Sequence, residues 1–494
     1  MKLKKLVEQL PGCEVHGDAE VEIKGIAAHS RQVEKGWLFA ALEGRERLGM
    51  DFVSEAIDRG AAALLLKEFF PLANGRLVQI KVGDPRWALA VAANEFYQHP
   101  SRKMEVAGVT GTNGKTTVAI LSSALLQAGG IPTGLLGTIY YQIGQRTLPS
   151  DLTTPAPPYL QYLLEEMRKT GCRRVVMEVS SHALDQNRVE GIEFSTVVFT
   201  NLTSEHLDYH HSLEEYGRAK LKLFTRPAPS GSPVSSARTA IINFDDPFGR
   251  RIAESVSGRV ISYGFSPGVS LRADGIELGP GGSRFLLDRQ GKVDPVEITL
   301  LGRHNVLNTL AAIALGLEAG LSLETILPAL KGFGGIPGRL EQVQAGQDFH
   351  VLIDYAHTPD ALENSLRTVR EIFPRRVIVV FGCGGDRDRS KRPRMGEAAE
   401  READMVILTS DNPRSEDPEA IIAEIKAGMR ERVGNVLSIP SRRVAMEEAF
   451  SLAASDDVVL IAGKGHEQQQ IFRDRVVPFN DRLVALDILG GRKR

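Results

Sequence analysis

Between Val106 and Thr117 the chain reads VAGVTGTNGKTT. A short apolar run rich in β-branched residues stops at glycines, and Gly-Lys-Thr-Thr then opens a second apolar stretch. This is the layout of a phosphate-binding loop between a strand and a helix. Backbone N–H groups of such a loop point at phosphate oxygens, and the helix dipole favours negative charge there. Gly111, Thr112, Asn113, Gly114, Lys115, Thr116 and Thr117 are therefore the candidate nucleotide-binding residues. Lys115 is expected on the β- and γ-phosphates and Thr116 on Mg²⁺. One departure matters. The usual first glycine, five residues before the Gly-Lys pair, falls on Val109, while glycines stand at Gly108 and Gly111. The bland alternative is an ordinary glycine-rich turn.

The surrounding pattern is α/β. Strand-like runs VAGVTG, RRVVMEVSS, STVVFTNLT, TAIINF and RVISYGF alternate with helical ones, of which KTTVAILSSALLQAGG closes at Gly129-Gly130. That predicts a largely parallel sheet. Upstream, Phe52–Leu66 predicts a helix, a glycine stop and a buried strand. The Pro/Ser-rich Ala228–Arg238 reads as a surface loop, and Leu287–Val293 as a hairpin turn. Gly332–Arg339, GFGGIPGR, is the best linker, since its glycines and proline fit no element interior cheaply. Beyond it the alternation restarts: FHVLIDYA, PDALENSLRTVREIF, RVIVVFG, GEAAERE, MVILTS, PEAIIAEIKAGM, RVAMEEAFSLAA and DVVLIAG. This is a second doubly wound unit, in which ligands bind at the carboxyl ends of strands. The expectation is three domains: an N-terminal α/β domain over 1–98, a phosphate-loop domain over 99–333 and a Rossmann-like domain over 334–494.

A length of 494 residues suits about three domains. A net charge of −2 argues against a dominant nucleic-acid or membrane-surface role. Cys13, Cys172 and Cys383 match no metal spacing and read as reduced residues of a cytosolic protein. The N-terminus lacks the apolar run of a signal peptide, and no segment reaches the ~18 apolar residues of a membrane helix.

The wording TGTNGKTT, Thr110–Thr117, resembles the Mur ligase family, ATP-dependent amide ligases of cell-wall peptide synthesis. The resemblance runs along nearly the whole chain, through HSRQVEKGWLFAAL, EVSSHALDQNRV, TNLTSEHLDYH, GRHNVLNTLAA, DYAHTPDAL, FGCGGDRDRSKRP, SDNPR and AGKGHE. It implies the member that extends UDP-N-acetylmuramoyl-L-alanyl-D-glutamate. That enzyme is expected to use ATP and Mg²⁺ and to work in the cytoplasm as a monomer, with no nucleic acid and no membrane insertion.

Glu178 ends the strand RRVVM. A carboxylate at the carboxyl end of a strand in a nucleotide-binding sheet is a usual place to hold Mg²⁺; a plain surface glutamate is the alternative. The resemblance makes Glu178 a metal ligand. It puts Ser180, Gln186 and Arg188, with Thr153 and Thr154 of LTTP, on the nucleotide-peptide substrate. Leu152 stands where some members carry Asn. In TNLTSEHLDYHH it makes His206 a second-metal ligand and leaves Asp208, His210 and His211 as supporting groups. Tyr216, Lys220 and Leu223 share helical spacing, so Lys220 is expected to be partly buried and Lys222 solvated. The family carbamylates the lysine at this place. An ammonium beside two Mg²⁺ ions would be repelled and a carbamate attracted. Lys220 is thus expected as N6-carboxylysine, a metal ligand and, with Lys115, His206 and Arg339, part of the catalytic set.

Asn305 and Asn308 could read an adenine edge or cap a helix; Asn305 is the expected ATP contact. Arg339 follows the linker, where a guanidinium reaches the γ-phosphate only on domain closure. Asp354, at the end of HVLID, is placed on ribose hydroxyls by the strand-end rule. In the first domain, where the family binds the UDP moiety, Ser30 matches a D-S-R stretch with His29 in place of Asp. Leu42–Arg47 matches the loop that closes on uridine, with Arg45 as the contact.

Asp411, Asn412 and Pro413 of SDNPR are ordinary helix-capping types, but capping leaves Arg414 unexplained. An arginine fork suits a carboxylate. The resemblance makes these four, with Arg387, Gly463 and Glu467, a pocket for meso-2,6-diaminopimelate, Glu467 pairing with its ammonium. The expected reaction joins that amino acid to the D-Glu γ-carboxylate through an acyl phosphate. L-Lysine as the amine is the alternative. Folylpolyglutamate synthases share a similar loop and the carbamylated lysine but lack the uridine domain. A nucleotide-driven switch protein would not explain the second cluster of Arg387, Asn412, Arg414 and Glu467.

Overall fold

A computed structural model of the chain describes residues 1–44, 48–72, 77–203, 205–225, 237–430 and 435–491. Arg45 and nearly all of the Ala228–Arg238 loop lie outside the described residues, as does the side chain of Asp208. The chain divides into two units. The first is Met1–Arg272 with Arg289–Gly291 and Leu307–Ala329; the second is Ala273–Asp288, Lys292–Val306 and Leu330–Arg494.

The first unit carries two sheets. In the five-stranded one, Val78–Lys81, Ala63–Leu66, Trp37–Ala40 and Gly25–Ala27 run parallel, and Glu14–His16 pairs antiparallel to Val78–Lys81. The larger sheet runs Arg259–Gly264, Thr239–Asn243, Thr196–Phe199, Glu105–Thr110, Arg174–Glu178 and Thr133–Leu136, all parallel. An antiparallel pair, Tyr140–Ile143 and Arg146–Pro149, closes that edge. The strand before the phosphate loop is central and buried on both faces, which is why VAGVT is a continuous apolar run. Helix Lys115–Ala128 follows it and ends at Gly129, as the sequence predicts.

In the second unit His350–Asp354, Val458–Ala462, Val377–Phe381, Met405–Leu408 and Val436–Ser438 are parallel, with Glu341–Val343 antiparallel at the edge. Two apolar layers flank this sheet, one around Leu362, Leu366 and Met395, the other around Met446, Phe450 and Ile488. Residues 332–339 form neither helix nor strand, and all of them belong to the second unit. Gln290 and Gly291, with φ of 56° and 91°, make the expected turn between Gly282–Arg289 and Lys292–Ile298. One helix is longer than GEAAERE predicts: it starts at Lys391, not Gly396. Pro393 sits in its first turn, where a missing N–H costs nothing. Among the described residues no helix is long and apolar enough to cross a membrane.

Candidate functional site

The spacing anomaly of the phosphate loop has a packing cause. Gly108 is a strand residue: a Cβ there would stand 2.7 Å from the Phe194 ring. Val109 is a fully buried strand residue. Two glycines shape the loop itself. Gly111 has φ of 149° and a Cβ would collide with Thr200 Oγ1. Gly114 has φ of 86°, a left-handed value that suits glycine, and a Cβ would collide with Asn308 Oδ1. TNLT is the loop's buttress: Asn113 N donates to Asn201 Oδ1 at 2.9 Å, Thr203 N to Thr112 Oγ1 at 2.9 Å and Thr200 Oγ1 to Asn113 O at 2.6 Å.

Three predicted groups meet at this loop. Thr116 Oγ1 donates to Glu178 Oε2 at 3.0 Å, and Glu178 also accepts from Thr138 N at 2.7 Å and Thr138 Oγ1 at 3.0 Å. Gly137 is the reason that carboxylate fits, since a Cβ there would lie 2.6 Å from Glu178 Oε1. Lys220 is fully buried rather than partly, and its Nζ donates to Gly111 O at 2.7 Å. Burial first, then the neighbouring Lys115 charge, pushes its amine well below the ordinary lysine range. Lys222 is half exposed, as predicted, and pairs with Asp185. His206, at φ 56°, is in edge contact with His182 at 4.9 Å and Tyr216 at 6.0 Å between ring centres. Among the described residues no three His, Cys, Asp or Glu side chains group around a metal-sized position.

The predicted substrate residues form a connected strip. Thr154 Oγ1 donates to Glu178 O at 2.9 Å and accepts from Ser180 N at 3.0 Å. Arg188 Nη1 donates to Thr154 O, and its other nitrogens to Gln186 Oε1. Thr153 shares a hydroxyl contact of 3.0 Å with Thr138, which ties the strip to Glu178. Ser30 turns instead to Glu55, 2.6 Å away. His29 Nδ1 accepts from Arg31 N at 3.2 Å, so it serves as the helix cap that an Asp would make.

In the second unit Asp354 is turned inward: it accepts from Leu340 N, Ala356 N and Ser365 Oγ at 2.7–3.0 Å. Asn305 donates to Leu301 O at 2.8 Å. The Arg339 guanidinium lies 5.1 Å from the Tyr355 ring centre.

SDNPR and AGKGHE follow the strands Met405–Leu408 and Val458–Ala462, which flank Val377–Phe381 on either side, and their side chains meet beyond its end. Asn412 Nδ2 donates to Glu467 Oε2 at 2.8 Å. Gly463, at φ 106°, allows the approach of Asp411, whose Oδ2 would stand 2.9 Å from a Cβ there. Arg414 Nη1 donates to Gly385 O at 2.8 Å. Gly385 is fixed by Pro413, whose carbonyl a Cβ would strike. Arg387 projects from the same Gly-rich loop and is exposed. Sequence reasoning passed over two residues here. Lys464, fully buried, donates to Asn412 Oδ1 and Glu467 Oε2. Arg392, also fully buried, clamps Glu416, Glu424 and Gly384 O. Both lie inside quoted motifs, AGKGHE and SKRP; for Lys464 its place between two glycines was the available signal, while nothing sets Arg392 apart from the basic residues around it.

Three families match successive segments: "Mur ligase family, catalytic domain" over 22–97, "Mur ligase middle domain" over 109–316 and "Mur ligase, glutamate ligase domain" over 338–465. The UDP-N-acetylmuramoyl-L-alanyl-D-glutamate–2,6-diaminopimelate ligase of Geobacillus kaustophilus is 44% identical over 98% of both chains. The enzyme of that name from Syntrophomonas wolfei is 42% identical over 100% of both. A solved structure bearing the same name gives a TM-score of 0.68 at 32% identity, covering 96% of each chain. A Mycobacterium tuberculosis folylpolyglutamate synthase complexed with ADP and AMPPCP gives 0.62 at 21% identity over 76% of this chain, which speaks for the fold alone.

Proposed function

The chain belongs to the Mur ligase family, and from that premise we propose that it is the ATP-dependent, ADP-forming ligase that adds meso-2,6-diaminopimelate to UDP-N-acetylmuramoyl-L-alanyl-D-glutamate in peptidoglycan precursor synthesis. ATP passes its γ-phosphoryl group to the D-Glu γ-carboxylate, giving ADP and an acyl phosphate. The free amine of the diamino acid attacks that carbonyl through a tetrahedral intermediate. Phosphate leaves, the amine's proton goes to solvent, and an amide remains. The protein's share is positioning and charge stabilisation.

The three family matches support a division of labour by domain: UDP moiety near 1–98, ATP in 99–333 and amino acid in 334–494. Gly111–Thr117 wraps the phosphates, with Lys115 as the clamp. Thr153, Thr154, Ser180, Gln186 and Arg188 bind the peptide end of the nucleotide substrate, with Ser30 and Arg45 toward the uridine. Asn305 and Arg339 are further residues assigned to ATP; Asp354, turned onto Leu340, Ala356 and Ser365, is left out of that set.

Magnesium fits the oxygen donors of the loop: Thr116 Oγ1 and Glu178 Oε2 are 3.0 Å apart, and Mg²⁺ commonly takes few protein ligands, the rest being water and phosphate. Held there by Thr116 and Glu178, it would neutralise charge on the phosphate oxygens. Lys220 as a carbamate, with His206, would supply a second set. A neutral amine is the form that adds CO₂, with loss of one proton, and its surroundings favour that form. The free cysteines suit a cytoplasmic enzyme, and the working form we propose is a monomer.

The observation that carries the reading is the second unit's cluster of Asn412, Arg414 and Glu467, for which a nucleotide switch has no use. The test is phosphate release. Release that needs both the UDP-muramoyl dipeptide and meso-diaminopimelate supports the proposal. Release with L-lysine in its place, with folate and glutamate, or with no acceptor would replace it.

A further inference from the structure

The Asn412 amide can face only one way. Its Oδ1 receives Lys464 Nζ at 3.0 Å and Ile471 N at 3.0 Å, and both of these are donors only. Its Nδ2 faces Glu467 Oε2 at 2.8 Å, which is an acceptor. Lys464 Nζ also reaches Glu467 Oε2, at 2.7 Å. Lysine, asparagine and glutamate thus close a triangle of three hydrogen bonds. Lys464 is wholly inaccessible to solvent, while Glu467 keeps 32% of its side chain exposed. The backbone holds the corner, because Glu467 N donates to Lys464 O at 3.0 Å and Gly463 and Gly465 both have positive φ.

A buried ammonium is costly unless it is paired and hydrogen-bonded. A plain apolar residue would fill the space without that cost, so the charge has a use. We infer that Lys464 is a positioning residue of the diamino-acid pocket: it fixes the orientation of the Asn412 amide and occupies one oxygen of Glu467, leaving the other for the incoming ammonium. The inference rests on the pocket assignment above. Lys464 itself touches no reacting atom. With Lys464 in place, Glu467 offers one charge-assisted bond, and one of the two amines of the ligand is held protonated while the other stays free to react.

The test uses the full-length enzyme and steady-state kinetics of Lys464→Met, with KM measured separately for meso-diaminopimelate, ATP and UDP-muramoyl dipeptide. KM for the diamino acid should rise about 10–100-fold, as when a supporting partner of a ligand-binding group is lost. The other two KM values and the melting temperature should move little. Lys464→Gln keeps a donor for Asn412 Oδ1 without the charge and should fall between. If Lys464→Met does not fold, Lys464→Gln is read by the same criteria. A Glu467→Gln/Lys464→Met double variant should lose less than the product of the two single losses, because the lysine acts in part through the glutamate. A diamino-acid KM within threefold of wild type, or a parallel rise in all three KM values, overturns the role. If wild type turns over with L-lysine and not diaminopimelate, the substrate reading fails, and the Lys464 comparison is then made with L-lysine.

Discussion

Lys115 Nζ and Lys220 Nζ donate to one acceptor, the carbonyl oxygen of Gly111, at 2.9 and 2.7 Å. Two ammonium ions on a single carbonyl repel each other, and the buried member yields its proton first. Lys220 is therefore an amine whose folded-state affinity for protons lies below the unfolded value of 10.5. The unfolded chain binds more protons there, so this group costs stability at low pH. The cost is relieved as pH rises from the depressed folded value toward 10.5. Lys220→Met removes the cost. In carbonate-free buffer at neutral pH the variant should melt about 2 °C or more above wild type. The gap should narrow as pH approaches 10. A variant that melts lower at pH 7 would contradict the neutral-amine assignment.

The same residue gives a chemical prediction. Lys220→Ala should be nearly inactive, and acetate or formate should restore part of the turnover, because the group we propose at this place, a carbamate, is an anion. Rescue by alkylamines in place of carboxylates would mean that the lysine works as a cation.

Lys115→Ala should abolish turnover. The loop around it is rigidly buttressed by Thr200, Asn201 and Thr203, so the variant loses the clamp and not the fold. A phosphate clamp acts mainly in the transition state. Retention of more than about a tenth of kcat, ~1.4 kcal/mol or less, would sink the loop assignment.

Arg392 makes a prediction about acid stability. Its guanidinium is buried between Glu416 and Glu424 and holds the Glu416 carboxyl down at about 2. A depressed carboxyl stabilises the fold above its unfolded value of 4.5, and that contribution is lost as pH falls through about 2. Arg392→Met should cost about 2 kcal/mol at pH 7, less than a fully buried pair because both carboxylates keep some solvent. Its stability should also be flatter between pH 4.5 and 2 than that of wild type. Urea melts across that range check both points.

Periodicity and punctuation made the alternation of strands and helices legible, and the glycines and proline of GFGGIPGR marked its interruption at 332–339. They placed Glu178 and Thr116 correctly as strand-end and helix-start residues, which is why the two meet. What the sequence hid is what depends on neighbours far along the chain. Gly108 looks like a loop glycine until Phe194, 86 positions on, is packed against it. Lys464 looks like a surface lysine between glycines until Asn412 and Glu467 close around it. The inward turn of Asp354 toward Leu340 and Ser365 was equally out of reach, since a strand-end carboxylate reads the same whether it faces a ligand or its own backbone.

On the proposed reading, substrate choice turns on Arg414. Diaminopimelate and L-lysine differ by one carboxylate at the far end of the side chain. Arg414 sits at φ 53°, which aims the residue away from the strand direction, and its hydrogen bonds to Gly385 O and Asn412 O both run from Nη1. The edge formed by Nε and Nη2 is the one a carboxylate pairs with in bidentate fashion. Gly384 leaves room for that fork, since a Cβ there would stand 2.9 Å from Arg414 Nη1. A pocket built to pair a carboxylate rejects the ligand that lacks it, because its own charge is left unmatched. The discrimination in kcat/KM should be ~10⁴ in favour of diaminopimelate. Arg414→Ala should lose most of that factor, chiefly through the KM of the diamino acid, with ATP binding unchanged. Comparable kcat/KM for the two amino acids in wild type would refute the specificity. A variant that still prefers diaminopimelate by the full factor would move the role to Arg387, which projects from the facing loop.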